Sequence, residues 1–205
     1  MKNTILIYGN TCAGKSTIGR LLSREFHADY LEFGDLKRKE IASNSSLGQR
    51  IKFCIENGNP INPSDGFEII KNRTLSPESI ILSGFPISTE ELCLLRIARS
   101  IIGVIVMDVD DITVRQRFLS RGICPTCNCP GRIGSKCQEH NINLIRRQDA
   151  NEEELSKRLN LYGKRIKPFI ERELIPVYPT IKINATLPLA NTYPSVKSFI
   201  YRLLL

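Results

Sequence analysis

Gly9-Asn10-Thr11-Cys12-Ala13-Gly14-Lys15-Ser16 is the stretch on which the reading of this chain turns. It fits the pattern G-x-x-x-x-G-K-[ST], whose glycines let the backbone curl until successive N–H groups point inward. A short apolar run at residues 4–8 precedes it, and residues 15–26 follow with helical spacing. Strand, glycine loop and helix N-terminus in that order make an anion cradle, because the helix end adds positive potential to the converging N–H groups. Gly9, Asn10, Thr11, Cys12, Ala13, Gly14, Lys15, Ser16 and Thr17 are the expected contacts of a nucleoside triphosphate. Lys15 is expected to reach its β and γ phosphates, with Ser16 placed on Mg2+.

Outward from this unit, residues 79–83, 101–109 and 180–184 are short, rich in Ile and Val and continuously apolar, which predicts strands buried on both faces of a parallel sheet. A shorter strand at 29–32 completes five. Helical stretches at 15–26, 64–74, 89–99, 111–119 and 151–174 alternate with them, and such alternation builds a doubly wound α/β sheet. Two regions break the alternation. Residues 33–62 read as helical without a strand, and residues 122–148 are rich in Cys, Gly, Pro and Asn. Both are expected to be insertions hinged on a core of residues 1–32, 63–121 and 149–205.

A chain of 205 residues that is 41% hydrophobic buries one sizeable core. It holds no apolar run long enough for a bilayer and starts without a secretory h-region, so a cytoplasmic protein with no membrane partner is expected. The net charge of +8 suits a polyanion, but the basic residues are interspersed with acids rather than gathered in a tail. Residues 122–148 hold no Phe, Tyr or Trp to stack on a base, which argues against a zinc ribbon for nucleic acid. A monomer is the expected state.

Seven cysteines in a cytoplasmic chain do not predict disulfides. Cys12, Cys54 and Cys93 stand singly and are expected to be buried structural thiols; His27 is expected at the surface. Cys124-Pro125-Thr126-Cys127 and Cys137-Gln138-Glu139-His140 differ, forming two C-x-x-[CH] pairs separated by nine residues. That spacing predicts a structural Zn2+ held by Cys124, Cys127, Cys137 and His140, with Cys129 as a spare thiol or substitute ligand.

Beyond the glycine loop, Gly34-Asp35-Leu36-Lys37-Arg38, Gly84-Phe85-Pro86, Arg117 with Arg121, Arg147-Gln148-Asp149 and Arg158-Leu159 occur in the order and spacing of adenylate kinases. The chain resembles that family over essentially its whole length. The resemblance implies a P-loop NTPase three-layer fold with a five-stranded parallel sheet, a helical acceptor-binding insertion at 33–62 and a zinc-type lid at 122–148. It implies ATP-dependent phosphoryl transfer to a nucleoside monophosphate with Mg2+ as cofactor. Lys15, Arg117, Arg121, Arg147 and Arg158 are then the catalytic residues, Arg117 and Arg121 also binding ATP. Phe33, Gly34, Arg38, Asn59, Pro60, Ile61, Gly84, Phe85, Ile87, Glu91, Arg147 and Arg158 line the acceptor site, and Ser16 and Asp35 attend Mg2+.

The departures from the family pattern cluster at the acceptor. The arginine usual after Gly84-Phe85-Pro86 is Ile87, the adenine-reading glutamine is Glu91, and the threonine before Gly34 is Phe33. A charge-assisted hydrogen bond is worth roughly 1.5–3 kcal/mol, so the loss at Ile87 predicts weakened monophosphate binding. An ionised Glu91 only accepts, which suits a guanine edge or an amine better than adenine. Two aspartates are also replaced, by Ser83 and Ala150, leaving Mg2+ to Ser16, Asp35, Asp149 and phosphate oxygens. Two other readings follow from these losses: a catalytically weak nucleotide-binding sensor or assembly protein, and a kinase of another small metabolite.

Overall fold

In the computed structural model that gives the structure, residues 3–74, 79–127, 129–146 and 150–205 are described. The apolar run before the glycine loop becomes β1 (Asn3–Gly9), the middle strand of a five-stranded sheet. On one side β1 pairs in parallel with β3 (Ile80–Ser83), and β3 with β2 (Asp29–Glu32). On the other side lie β4 (Ser100–Asp108) and then β8 (Thr180–Asn184), also parallel. Successive connections therefore leave β1 toward both edges, and the carboxyl end of β1 is the switch point where open α/β sheets bind ligands.

Alternation along the strands sorts the core into two layers. Ile5 and Ile7 pack with Ile18 and Leu22 of α1 (Lys15–Glu25) and with Val196, Phe199 and Ile200 of α9 (Leu189–Leu204). Leu6 and Tyr8 face the opposite layer, where they meet Ile70 of α4 (Pro63–Thr74), Leu92 and Leu95 of α5 (Thr89–Ala98), and Phe169, Ile170 and Leu174. Each fully buried aliphatic side chain contributes about 1.5–3 kcal/mol. The central strand, buried on both faces, is thus the most firmly held element beneath the glycine loop. Helix α9 was not among the stretches predicted above; Pro194 interrupts its pattern, yet Thr192, Val196, Phe199 and Ile200 keep one buried face.

Residues 33–62 form α2 (Phe33–Ala42) and α3 (Ser46–Glu56), with Ser45 capping α3 through Gly48 N. The helix expected over 151–174 is not uniform. It begins as α7 (Glu152–Leu161), widens into a π turn at Tyr162–Ile166, and continues through α8 (Lys167–Phe169) into a second π turn at Ile170–Leu174. Pro168 accounts for the first widening, since its ring would clash with the carbonyl four residues earlier in a regular α-helix. Widened turns of this kind recur at functional sites.

The cysteine-rich segment follows α6 (Asp111–Ser120) and forms a three-stranded antiparallel sheet of β5 (Arg121–Ile123), β6 (Pro130–Arg132) and β7 (Ile145–Arg146), in the order β6-β5-β7. Gly122 and Gly131 face each other in register, and Leu144 lies across both. A Cβ on either would come within 2.9 or 2.3 Å of that leucine, so the pair must be glycine for Leu144 to reach Cys124 and Cys137. Among the described residues, no helix is long and apolar enough to cross a membrane.

Candidate active site

The glycine loop is shaped by three residues in the left-handed region: Gly9 at φ +153°, Cys12 at +57° and Gly14 at +89°. A Cβ on Gly9 would stand 2.6 Å from the Met107 carbonyl oxygen, so close approach to β4 as well as backbone conformation demands glycine there. Gly14 is the N-cap of α1 and accepts from Thr17 N and Ile18 N at 3.0 and 3.1 Å, while Ala13 N donates to the Asn10 carbonyl at 3.3 Å. The side chain of Ala13 is buried in the core beneath the loop; Thr11, Cys12, Gly14 and Thr17 border the cleft.

Lys15 folds over this loop, its Nζ donating to the carbonyls of Gly9 at 2.9 Å and Asn10 at 2.8 Å. Burial lowers its pKa, Glu32 opposes that, and Arg121 and Arg158 lower it further. Three cations are thus held near one another, a costly arrangement that a polyanion relieves. Ser16 donates through its hydroxyl to Glu32 Oε2 at 2.9 Å, and Tyr30 donates to the same oxygen at 2.6 Å.

The arginines arrive from separate elements. Arg117 on α6 points to the carbonyls of Cys12 and Thr186, each at 3.4 Å. Arg121, the first residue of β5, lies with its guanidinium 4.0 Å from Cys12 Sγ and borders both the loop and the larger cleft. Arg158 on α7 is fixed by Glu154 Oε1 at 2.7 Å and lies over the Phe118 ring, 5.7 Å from its centroid. Arg147, expected with them, lies outside the described residues, as do Gln148 and Asp149.

The larger cleft encloses about 1260 Å³ between the loop, α2, the Gly84–Ile87 turn and α7. Gly34, Arg38, Asn59, Pro60, Ile61, Gly84, Ile87 and Glu91 all border it, and Phe33 does so from a largely buried position. Phe85 is a correction. Its side chain is fully buried and packs on Phe33 with ring centroids 5.0 Å apart, so it supports the floor beneath Phe33 without facing the cleft. Asp35, expected beside Ser16, is ion-paired with Arg38.

Glu91 has a local task as well. Ser88 caps α5 by accepting from Glu91 N at 3.3 Å, and the Glu91 carboxylate accepts in return from Ile87 N at 2.7 Å through Oε2. Its other oxygen faces Gly66, where a Cβ would lie only 3.0 Å away. Burial raises the Glu91 pKa, with the Ile87 N–H and Arg165 opposing it. Arg165, Tyr162 and Ile166, which sequence reasoning did not single out, border the same cleft, continuing the face of α7 that carries Glu154 and Arg158. Lys37 on α2 was missed likewise; burial lowers its pKa, helped by Arg38 and Arg158.

Cys124, Cys127, Cys137 and His140 bring their ligand atoms within 4.8 Å of one another. Cys127 Sγ lies 3.7 Å from Cys137 Sγ, and His140 Nδ1 lies 3.6 Å from Cys137 Sγ and 3.9 Å from Cys124 Sγ. A tetrahedral ion with Zn–S bonds of about 2.3 Å sets S···S edges of about 3.8 Å and S···N edges of about 3.5 Å, so this donor set fits zinc. His140 holds the Cys137 thiol down, to about 6, favouring the thiolate that a metal requires. Cys129 joins Cys127 and Glu139 in an overlapping group. The single cysteines are a correction: Cys93 is exposed, and Cys12 and Cys54 are only half-buried. His27 is exposed as expected.

The comparisons with known proteins agree with this geometry. The sequence profile of adenylate kinases matches residues 7–173. The adenylate kinase of Mycoplasma genitalium is 28% identical over 214 residues, spanning 97% of this chain and 97% of its own. That of Thermococcus kodakarensis is 30% identical over 180 residues, 82% of this chain and 80% of its own. That of Mycoplasmopsis pulmonis is 28% identical over 177 residues, 80% and 83% respectively. A matched span that runs from β1 through α7 takes in both the glycine loop and the arginines. The chain therefore belongs to the adenylate kinase family and is a phosphotransferase of the nucleoside monophosphate kinase type.

Proposed function

We propose that this chain transfers the terminal phosphoryl group of ATP to the phosphate of a nucleoside monophosphate, using Mg2+, through an acceptor pocket that does not select adenine as strongly as its relatives do. The observation that carries the reading is the convergence of Lys15, Arg121 and Arg158 from α1, β5 and α7 upon one cleft at the glycine loop. Phosphoryl transfer spreads negative charge over the moving group and the oxygens on either side, so positioning and electrostatic stabilisation do most of the work.

In this reading the loop amides and Lys15 hold the β and γ phosphates, Lys15 leaving the Gly9 and Asn10 carbonyls for the phosphate oxygens. Arg121 and Arg158 draw the donor and acceptor phosphates together, and Arg38 and Lys37 hold the acceptor phosphate from α2. Bound Mg2+ would neutralise charge on the donor phosphates beside Ser16. Residues 122–148 serve as a lid: Pro130, Gly131 and Arg132 of β6 already border the loop, and closure excludes water from the reacting phosphates. Cys124, Cys127, Cys137 and His140 would hold a structural zinc, which would supply folding free energy that so small a sheet lacks. Lys15, Arg121 and Arg158 all come to the cleft from one chain, which supports a monomer acting on small molecules.

Coupled measurement of ADP formation across a panel of nucleoside monophosphates and phosphorylated metabolites, with Lys15→Ala as control, tests the reading. Acceptor-dependent turnover that disappears in the control is expected, with GMP rivalling or exceeding AMP. ATP binding without turnover for any acceptor would contradict it and favour the sensor reading.

A further inference from the structure

The family pattern places an aspartate before Gly84, at the end of β3, and this chain has Ser83 there. In the parallel pairing of β2 with β3, the residue in register with Ser83 is Glu32, the last of β2. Residues in register side by side on neighbouring parallel strands project to the same face, about 4.8 Å apart. A carboxylate lost from position 83 is therefore matched by one at the adjacent site, a strand further from β1 and on a side chain one methylene longer. Ser83 is fully buried and small, and Glu32 reaches past it far enough to accept from the Ser16 hydroxyl at 2.9 Å.

Three further observations favour a role at the donor phosphates. Glu32 borders both the loop cleft and the larger cleft, so it stands where the two substrates' phosphates would meet. Among the described residues it is the sole carboxylate bordering the loop cleft, opposite Lys15, Arg117, Arg121 and Arg132. The hydroxyls of Ser16 and Tyr30 both fall on Oε2 and fix the side chain, while no hydrogen bond among the described residues falls on Oε1. Asp35, another acid bordering the larger cleft, is engaged by Arg38. Oxygen donors of this kind fit Mg2+, which takes one or two carboxylates, substrate phosphates and several waters.

We propose that Glu32 is the carboxylate that holds the hydrated divalent cation of the metal–ATP complex beside Ser16, taking over from the position now occupied by Ser83. The assignment rests on the phosphoryl-transfer reading above. Tyr30 is then a positioning residue, keeping the Glu32 carboxylate extended toward Ser16 by its 2.6 Å hydrogen bond.

The test measures ATP affinity by calorimetry in EDTA and in Mg2+, and Mn2+ affinity of the ATP complex by electron paramagnetic resonance, for the wild type, Glu32→Gln and the exchange variant Glu32→Ser/Ser83→Asp. Glu32→Gln, which removes a negative charge beside the phosphates, is expected to bind ATP in EDTA at least as tightly as the wild type, to lose about tenfold or more in Mn2+ affinity, and to lose most of the tightening by Mg2+. The exchange variant is expected to recover the metal response. Unchanged Mn2+ affinity in a folded Glu32→Gln, or recovery absent from a folded exchange variant, would overturn the assignment while leaving the phosphoryl-transfer reading standing. A wild type whose ATP binding is indifferent to divalent cations would remove that reading and this assignment together.

Discussion

The two ends of the large cleft share the carboxyl side of one sheet and yet differ in how far they keep the family's chemistry. At the glycine loop the cations are retained and mutually supported: Lys15 on its two carbonyls, Arg117 on Cys12 and Thr186, Arg158 against Glu154. At the far end an isoleucine stands where an arginine is usual, Glu91 is partly consumed by capping α5, and Phe33 packs on Phe85 as apolar flooring. The triphosphate end must stabilise the same charge whatever the acceptor, so its cations are not free to vary. The acceptor end has only to recognise, and recognition can be rebuilt with Lys37, Arg165 or Glu91 in place of the usual contacts.

The largest break in this contrast is expected from Lys15→Ala. Removing one cation from the developing charge should cost about 10²- to 10³-fold in kcat for every acceptor, measured by coupled assay. A smaller loss of turnover is expected from Cys137→Ser, which takes one ligand from the four-donor set. Zinc should vanish by atomic absorption and limited proteolysis should open residues 122–148, while ATP binding at the loop survives. That result would separate the contribution of the cysteine-rich segment from the loop's.

Ile87→Arg should sharpen the comparison in the opposite direction. Restoring a charge-assisted hydrogen bond of roughly 1.5–3 kcal/mol should lower KM for the monophosphate by about one to two powers of ten, leaving KM for ATP as it was. The smallest effect is expected at Glu91→Gln. The amide keeps an oxygen for Ile87 N while gaining a donor for the cleft, so kcat/KM for AMP over GMP should rise roughly 2- to 10-fold, the scale of one neutral hydrogen bond.

Much of the core was legible because its signals are local or periodic. The glycine loop needs its own residues alone, and the apolar runs at β1 and β4 admit few readings other than buried parallel strands, whereas β8, expected to be buried on both faces, is an edge strand with Lys182 exposed and only Ile183 buried. Cys124 to His140 was legible for the same reason, since two short ligand pairs carry the spacing in themselves. Glu32 was not legible, because its partner Ser16 is brought to it only by strand order and register, and the loss at Ser83 reads as a deletion until β2 is seen beside β3. Tyr162 and Arg165 continue the Glu154–Arg158 face at ordinary helical spacing, but which face of the helix lines the cleft is set by tertiary packing rather than by local sequence. Phe85 misled in the other direction: it sits inside a binding motif, but its side chain serves the core.

The most direct test of the whole account is a crystal structure with a dinucleoside polyphosphate that bridges both sites. The account predicts donor phosphates inside the Gly9–Ser16 loop with Lys15 lifted onto them, Arg117, Arg121 and Arg158 within hydrogen-bonding distance of the bridging phosphates, and the acceptor nucleoside between Phe33, Ile87 and Glu91. Polyphosphate lying outside the loop, or those arginines directed away from it, would contradict the account.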